Sequence, residues 1–154
     1  MAEILDFKKV LSGKDGRIYV TVNGVSYFLA EAASFVAALN PTNADVQPMG
    51  SNLIGAVNTG WTVTISLKEY VVRDDIMIAP LIEALRTGAR ISYDFQGVLD
   101  RTMIDGQESR QVFRDCVPDG AFSLLSMTPG EVVQRETAFR GNALPEIIKA
   151  FTAA

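Results

Sequence analysis

The sequence predicts a mainly β fold with one flanking α-helix, closed as a β-sandwich or barrel, and three observations lead there. Several runs alternate apolar and polar residues with a period of two, as half-buried strands do. Asn23-Gly24 parts two apolar runs by two residues, a strong hairpin signal. One stretch, residues 74–87, carries an apolar stripe at helical spacing. Roughly six to eight strands with one main helix bury their apolar faces by closing on one another with the helix to one side.

In chain order, residues 17–22 and 25–29 are the strands of the first hairpin, and the second strand is expected to run on through 31–39. The alanines there also suit a helix, but the hairpin has already set the direction. Residues 61–68 alternate cleanly: Trp61, Val63, Ile65 and Leu67 fall on the core face, and Thr62, Thr64, Ser66 and Lys68 on the other. Trp61, the single tryptophan, is expected to anchor the core. In the helix, Asp74 and Asp75 suit the N-terminus, Ile78, Leu81, Ile82 and Leu85 form the stripe, and Gly88 stops it. Pro80 must then sit in or near the first turn. Residues 90–96 alternate again, with Ile91, Tyr93 and Phe95 inward and Arg90, Ser92, Asp94 and Gln96 outward. Asp105-Gly106 marks a turn before a strand near 111–117. Pro118-Asp119-Gly120 is a second turn, with strands expected at 121–127 and 131–139 around Pro129-Gly130. Residues 144–151 are expected to form a short terminal helix.

Composition narrows the function. A chain of 154 residues, 48% hydrophobic and without a linker-like tract, suits one domain spanning 1–154 with a proper core. A net charge of -4 with no Lys/Arg cluster argues against a nucleic-acid-binding surface. The single cysteine, Cys116, excludes an internal disulfide and reads as a buried structural thiol. The absence of histidine removes the commonest general base and metal ligand together. Residues 1–9 lack the basic start of a signal peptide, and no apolar run approaches the roughly 20 residues that span a bilayer. A soluble product made in the cytoplasm, with no membrane partner, is the expectation.

The candidate chemical motifs do not hold together. Ser12-Gly-Lys-Asp-Gly16 resembles a phosphate loop only until Lys8 and Asp15 stand where Gly and Ser/Thr are required. Asp74-Asp75 and the pair Asp115/Asp119 are explained as caps and turn residues. Asp105-Gly-Gln-Glu108 lacks the alternating oxygen ligands of a calcium loop. No nucleophile has a base at a recognisable spacing, so no catalytic, cofactor-binding or metal-binding residue is assigned, no cofactor is called for, and an enzyme is not expected.

The most informative segment is the insert between strands at about 40–60. It is long for a compact domain, and such inserts are functional or disordered. Asp45 is its only charge, yet it carries Val46, Met49, Leu53, Ile54 and Val57, which a free solvated loop has little reason to expose. The inference is a projecting arm that orders against another protein surface, with Asp45 and those five apolar residues as its contact set.

Several segments together resemble the tail tube proteins of contractile-tailed bacteriophages, a family used also by phage-like elements and contractile bacteriocins. They are Ser12-Gly-Lys-Asp-Gly-Arg17, Asp45-Val-Gln-Pro-Met-Gly50 and Thr59-Gly-Trp-Thr-Val-Thr64, continuing in order through the helix, 90–94 and 111–115. The resemblance covers roughly residues 12–145. It implies a β-sandwich flanked by a helix, related to type VI secretion tube proteins. It also implies hexameric rings of identical copies, stacked into a tube inside a contractile sheath, with the long loop reaching into the adjoining ring. Implied partners are further copies, a tail sheath protein, and tape measure and baseplate proteins. The resemblance further implies that DNA passes through the bore unbound and that the product resides in the virion tail after assembly in the host cytoplasm.

Four strands from each of six copies give about 24 strands at about 4.8 Å spacing, a backbone diameter of roughly 37 Å, wide enough for duplex DNA. A polar, somewhat acidic lining would repel phosphate, and Thr62, Thr64, Ser66, Asp94, Gln96, Gln134 and Glu136 are its candidates. The alternatives are the tube of a contractile bacteriocin or injection particle, which moves no genome, and a monomeric β-barrel binding module.

Overall fold

The structure, a computed structural model, describes residues 16–28, 32–70, 74–125 and 127–152. The expectations placed on residues 1–9, on 12–15, on Leu29 and on Glu31 lie outside the described residues. Strands β1 (Gly16–Val22) and β2 (Val25–Phe28) form the expected hairpin, with Val22 opposite Val25. Asn23 and Gly24 both take positive φ, at 52° and 81°, which is what a two-residue turn of the matching twist demands.

Strands β3 (Ala32–Val46) and β4 (Gly55–Glu69) are each fifteen residues long and pair along their length. The insert is therefore a β-hairpin, and its loop proper is only 47–54. Pro41 interrupts nothing because β3 is an edge strand, where a missing N–H goes unmissed. Short helices α1 (Asp74–Met77) and α2 (Ala79–Thr87) follow, then β5 (Tyr93–Arg101), a one-turn helix α3 (Thr102–Asp105), β6 (Gln107–Pro118), β7 (Arg135–Gly141) and β8 (Glu146–Lys149).

The sheet runs β2-β1-β5-β6-β7-β4-β3, with β8 on the second edge of β6. It curls on itself into two layers. Phe35 of β3 lies 5.8 Å from Phe95 and 6.2 Å from Phe113, although β3 and β5 are far apart in strand order. Phe139 of β7 meets Phe95 edge-on at 4.9 Å. Between the layers sit Val20, Val22, Val63, Ile65, Leu67, Met77, Ile78, Tyr93, Phe95, Phe113, Cys116 and Phe139. Strand β6 turns the corner: its first part pairs with β5, and its end, Cys116 to Pro118, also pairs with β7.

The predicted faces of β4 and β5 are those observed, with one exception. Trp61 is 44% exposed, because it lies at the foot of the hairpin beyond Val63, the last β4 residue that pairs with β7. Three other expectations are corrected. Residues 121–125 and 127 form no strand; after Pro118 the chain takes an irregular path beside β7, and Phe122 alone reaches the core, edge-on to Phe139 at 5.6 Å. The strand expected from 131 begins only at Arg135. The expected terminal helix is strand β8, whose β-branched Ile147 and Ile148 suit the open edge of β6 better than a helix.

The expected helix is divided at Ile78, and Pro80 sits in the first turn of α2, where its missing N–H costs nothing. Gly88 ends it at φ 77°. Only the start of the stripe is buried: Met77 and Ile78 enter the core, while Ile82 and Leu85 are exposed. The Tyr93 hydroxyl donates to the Met77 carbonyl at 2.9 Å and ties the helix to the sheet.

Two buried groups make stability depend on pH. Burial pushes both the Tyr93 phenol and the Cys116 thiol up to about 12. Each holds its proton more tightly folded than unfolded, so this stability is complete below about pH 8.5, the ordinary thiol value, and is lost as pH rises towards 12. Urea midpoints are expected to fall steadily from pH 8.5 to 11, less steeply for Cys116→Ala. In the folded protein the thiol is expected to resist thiol reagents at pH 8.

Gly141 is packed rather than flexible. It pairs with Val63 on one side and Cys116 on the other, and a Cβ there would meet Val63 Cβ and Cγ1 at 3.2 Å. Gly141→Val is expected to cost about 1–3 kcal/mol by overpacking, read as a lowered urea midpoint.

Candidate assembly site

The β3–β4 hairpin leaves the body of the subunit at Val63 and runs to Gly55, a projection of about 27 Å at strand rise. Side-chain bonds brace its foot. Asn40 Nδ2 donates to Thr64 Oγ1 at 2.9 Å, and Thr59 Oγ1 donates to the Thr42 carbonyl at 3.1 Å. The tip orders itself as well: Gln47 Nε2 donates to the Ser51 carbonyl, the Leu53 N–H to Ser51 Oγ, and Gly50 takes φ 80°.

All six predicted contact residues are exposed. Met49 is fully so, Leu53 is 74% and Ile54 59% exposed, and Val46, Val57 and Asp45 are exposed too. Ala44 lies opposite Val57 and Asp45 opposite Ala56, so Ala44, Val46 and Val57 share one face while Asp45 lies on the other. The arm does not fold back onto its own subunit.

The structure divides the candidate lining residues. Thr62, Thr64 and Ser66 lie on the outer face of the β3–β4–β7 layer, with Glu136 beside them; Ser66 Oγ donates to Glu136 Oε1 at 3.4 Å. Asp94 and Gln96 lie on the outer face of the other layer, next to Thr21 and Tyr19 of β1. Those two faces point away from each other across the core. Gln134 precedes β7 and lines a recess of about 420 Å³ with Thr128, Glu131, Val132 and Val133. The register adds two residues that the candidate lining left out. Lys68 lies opposite Glu136, and Arg140 opposite Thr64, so the β3–β4–β7 face has two cations and one carboxylate. It is polar and has one more cation than carboxylate among these residues, where the expected lining was somewhat acidic; that excess is legible only once the pairing of β4 with β7 is known.

The carboxylates have structural employment. Asp94 Oδ1 accepts the Asp115 N–H at 2.9 Å across a bulge where Asp115 takes φ 54°. Asp100 Oδ1 accepts from the Thr102 hydroxyl and N–H, which with Arg17 hold its carboxyl below the usual carboxylate range. Among the described residues no group of three or more His, Cys, Asp or Glu is placed to hold a metal, and no helix is long and apolar enough to cross a membrane.

Comparison with known proteins agrees with this geometry. A family model described as "Phage tail tube protein" matches residues 3–142. The fold is similar to that of a chain in the tube terminating cap of the anti-feeding prophage, with a TM-score of 0.64 at 12% identity, covering 96% of this chain and 97% of that one. A chain of the sheath–tube complex of an extracellular contractile injection system (PVC) gives 0.61 at 10% identity, covering 92% and 95%. A chain from the tail of an empty gene transfer agent particle, solved with C6 symmetry, gives 0.55 at 14% identity, covering 90% and 98%. The comparison with curated proteins gave no match.

Proposed function

The chain belongs to the phage tail tube protein family, and from that premise we propose that it forms hexameric rings stacked as the inner tube of a contractile tail, the conduit for genome ejection. The tail tube role is structural, not enzymatic, and the chain is a component of the tail. The observation that carries the assembly reading is the arm: a braced hairpin of about 27 Å that holds Met49, Leu53 and Ile54 away from any core of its own. Six-fold rings draw support from the C6 symmetry of the similar gene transfer agent tail, and a sheath partner from the similar sheath–tube complex. Tape measure and baseplate partners, and assembly in the host cytoplasm, belong to the same reading.

The bore is best assigned to the outer face of β3, β4 and β7. Ser34, Ala38, Asn40, Thr62, Thr64 and Ser66 are short and uncharged there and Val36 is apolar, which keeps the bore wide and leaves Lys68 and Arg140 as the cations that phosphate would meet. Asp94 and Gln96, on the opposite layer, then face away from the bore.

Negative-stain microscopy with mass measurement tests this. Rings of about 100 kDa, six copies of the 16.7 kDa chain, and tubes built from them are expected. Dispersed monomers across salt and protein concentration overturn it. The second reading, the tube of an injection particle without a genome, is favoured by the likeness to the anti-feeding prophage and PVC chains. A DNA-filled capsid on the native particle decides between them.

A further inference from the structure

The arm's docking partner can be sought on the subunit itself. Strand β4 is a common ruler: its start, Gly55, is the arm tip, and its end, Glu69, lies opposite Arg135, the first residue of β7. The segment leading into Arg135 is held at that far end, where the Ser123 N–H donates to the Glu136 carbonyl. Fourteen residues of strand separate Glu69 from Gly55, about 46 Å. A loop of this length returning to Arg135 reaches at most about 20 Å, so it cannot approach its own arm.

That far end carries a second unpartnered apolar patch. Leu124, Leu125, Met127, Val132 and Val133 are all exposed. The recess of about 420 Å³ opens in the same loop, lined by Thr128, Glu131, Val132, Val133 and Gln134. Its volume admits branched aliphatic side chains. Arm and loop together expose ten large apolar side chains, on the order of the 1,000 Å² that a specific interface requires. Two different apolar patches at opposite poles of one subunit can meet head to tail, and a head-to-tail contact that does not close into a ring repeats along its axis.

We infer that the arm tip of one copy docks on Leu124, Leu125 and the 127–134 segment of the next copy along the tube, with Leu53 and Ile54 against Val132 and Val133 at the mouth of the recess. This rests on the stacked-tube reading and names the receptor that reading leaves open. The occupant is a second copy because the arm supplies exposed aliphatic side chains to set against Val132 and Val133 and carries a single charge, Asp45, on the face away from Val57. Glu131 at the recess then stays at the wet rim, where an unpaired carboxylate is tolerated.

Full-length chain with Leu53→Cys and Val133→Cys together, oxidised after assembly, is expected to give a disulfide ladder extending beyond six copies on a denaturing gel. Either cysteine alone stops at dimers. Separately, Val133→Asp is expected to keep the wild-type melting curve and ring mass while cutting the sedimenting tube fraction at least ten-fold. Wild-type tubes accompanied by no ladder from the double-cysteine chain, or by undiminished tubes from Val133→Asp, overturn the docking alone. A wild-type chain that never forms rings or tubes overturns the stacked-tube reading, and the docking with it.

Discussion

Replacing residues 43–59 by a two-residue Asn-Gly turn is expected to abolish tubes and leave the subunit folded. Thr42 pairs with Gly60, so a two-residue turn closes the shortened hairpin at that rung. None of the removed residues belongs to the core, which begins in this hairpin at Val63. The melting temperature therefore moves by a few degrees at most. Assembly has no such cushion. Burying a large aliphatic side chain is worth about 1.5–3 kcal/mol, so Met49, Leu53 and Ile54 alone would account for several kcal/mol at every proposed contact between rings. Sedimentation and microscopy read the loss, and circular dichroism reads the retained fold. Tubes of normal length from the shortened chain would refute the arm's role.

Arg135→Ala is expected to destabilise the subunit by about 3–5 kcal/mol, a large share of the 5–15 kcal/mol that holds a typical domain. Arg135 and Glu69 lie opposite each other in β7 and β4, almost wholly buried, with Arg135 Nη2 donating to Glu69 Oε2 at 3.4 Å. Truncating the arginine leaves a carboxylate buried without this cation, and the desolvation it already bears is no longer offset. The double replacement Glu69→Leu with Arg135→Met removes both charges and is expected to restore most of the loss. Urea denaturation of the three chains measures this. A single variant as stable as wild type would mean that water reaches Glu69 in solution. The pair also favours the observed register of β7 on β4, because a slip of β7 by one residue would turn Arg135 onto the outer face and leave Glu69 buried without it.

The fold class was legible where periodicity was strong. The alternation of 61–68 placed Val63, Ile65 and Leu67 inward, and that of 90–96 placed Tyr93 and Phe95. Continued two residues further, the same alternation puts Glu69 on the core face. A charge there demands a partner, but nothing in the linear chain identifies Arg135, sixty-six residues on. Strands were expected at 121–127 and 131–139 around Pro129-Gly130, but residues 121–125 and 127–134 form none. There Phe122 packs on Phe139, and Thr128, Glu131, Val132, Val133 and Gln134 line the recess. Pro129-Gly130 between apolar pairs was the one available hint of an exposed, shaped turn.

Local sequence alone indicated that this chain would be mostly strands with one main helical region, and that its insert would be apolar and almost uncharged. Turn chemistry, period-two alternation and the want of charge are properties of neighbouring residues, so they survive without knowledge of the fold. Only the tertiary structure decided that the insert is a rigid hairpin, that Asp94 and Gln96 face away from Thr64 and Ser66, and that a shaped recess sits at the pole opposite the arm. Those facts depend on which strands pair and how the sheet curls. Pairing is set by contacts between residues far apart in the chain, each optimised against partners that adjacency does not reveal.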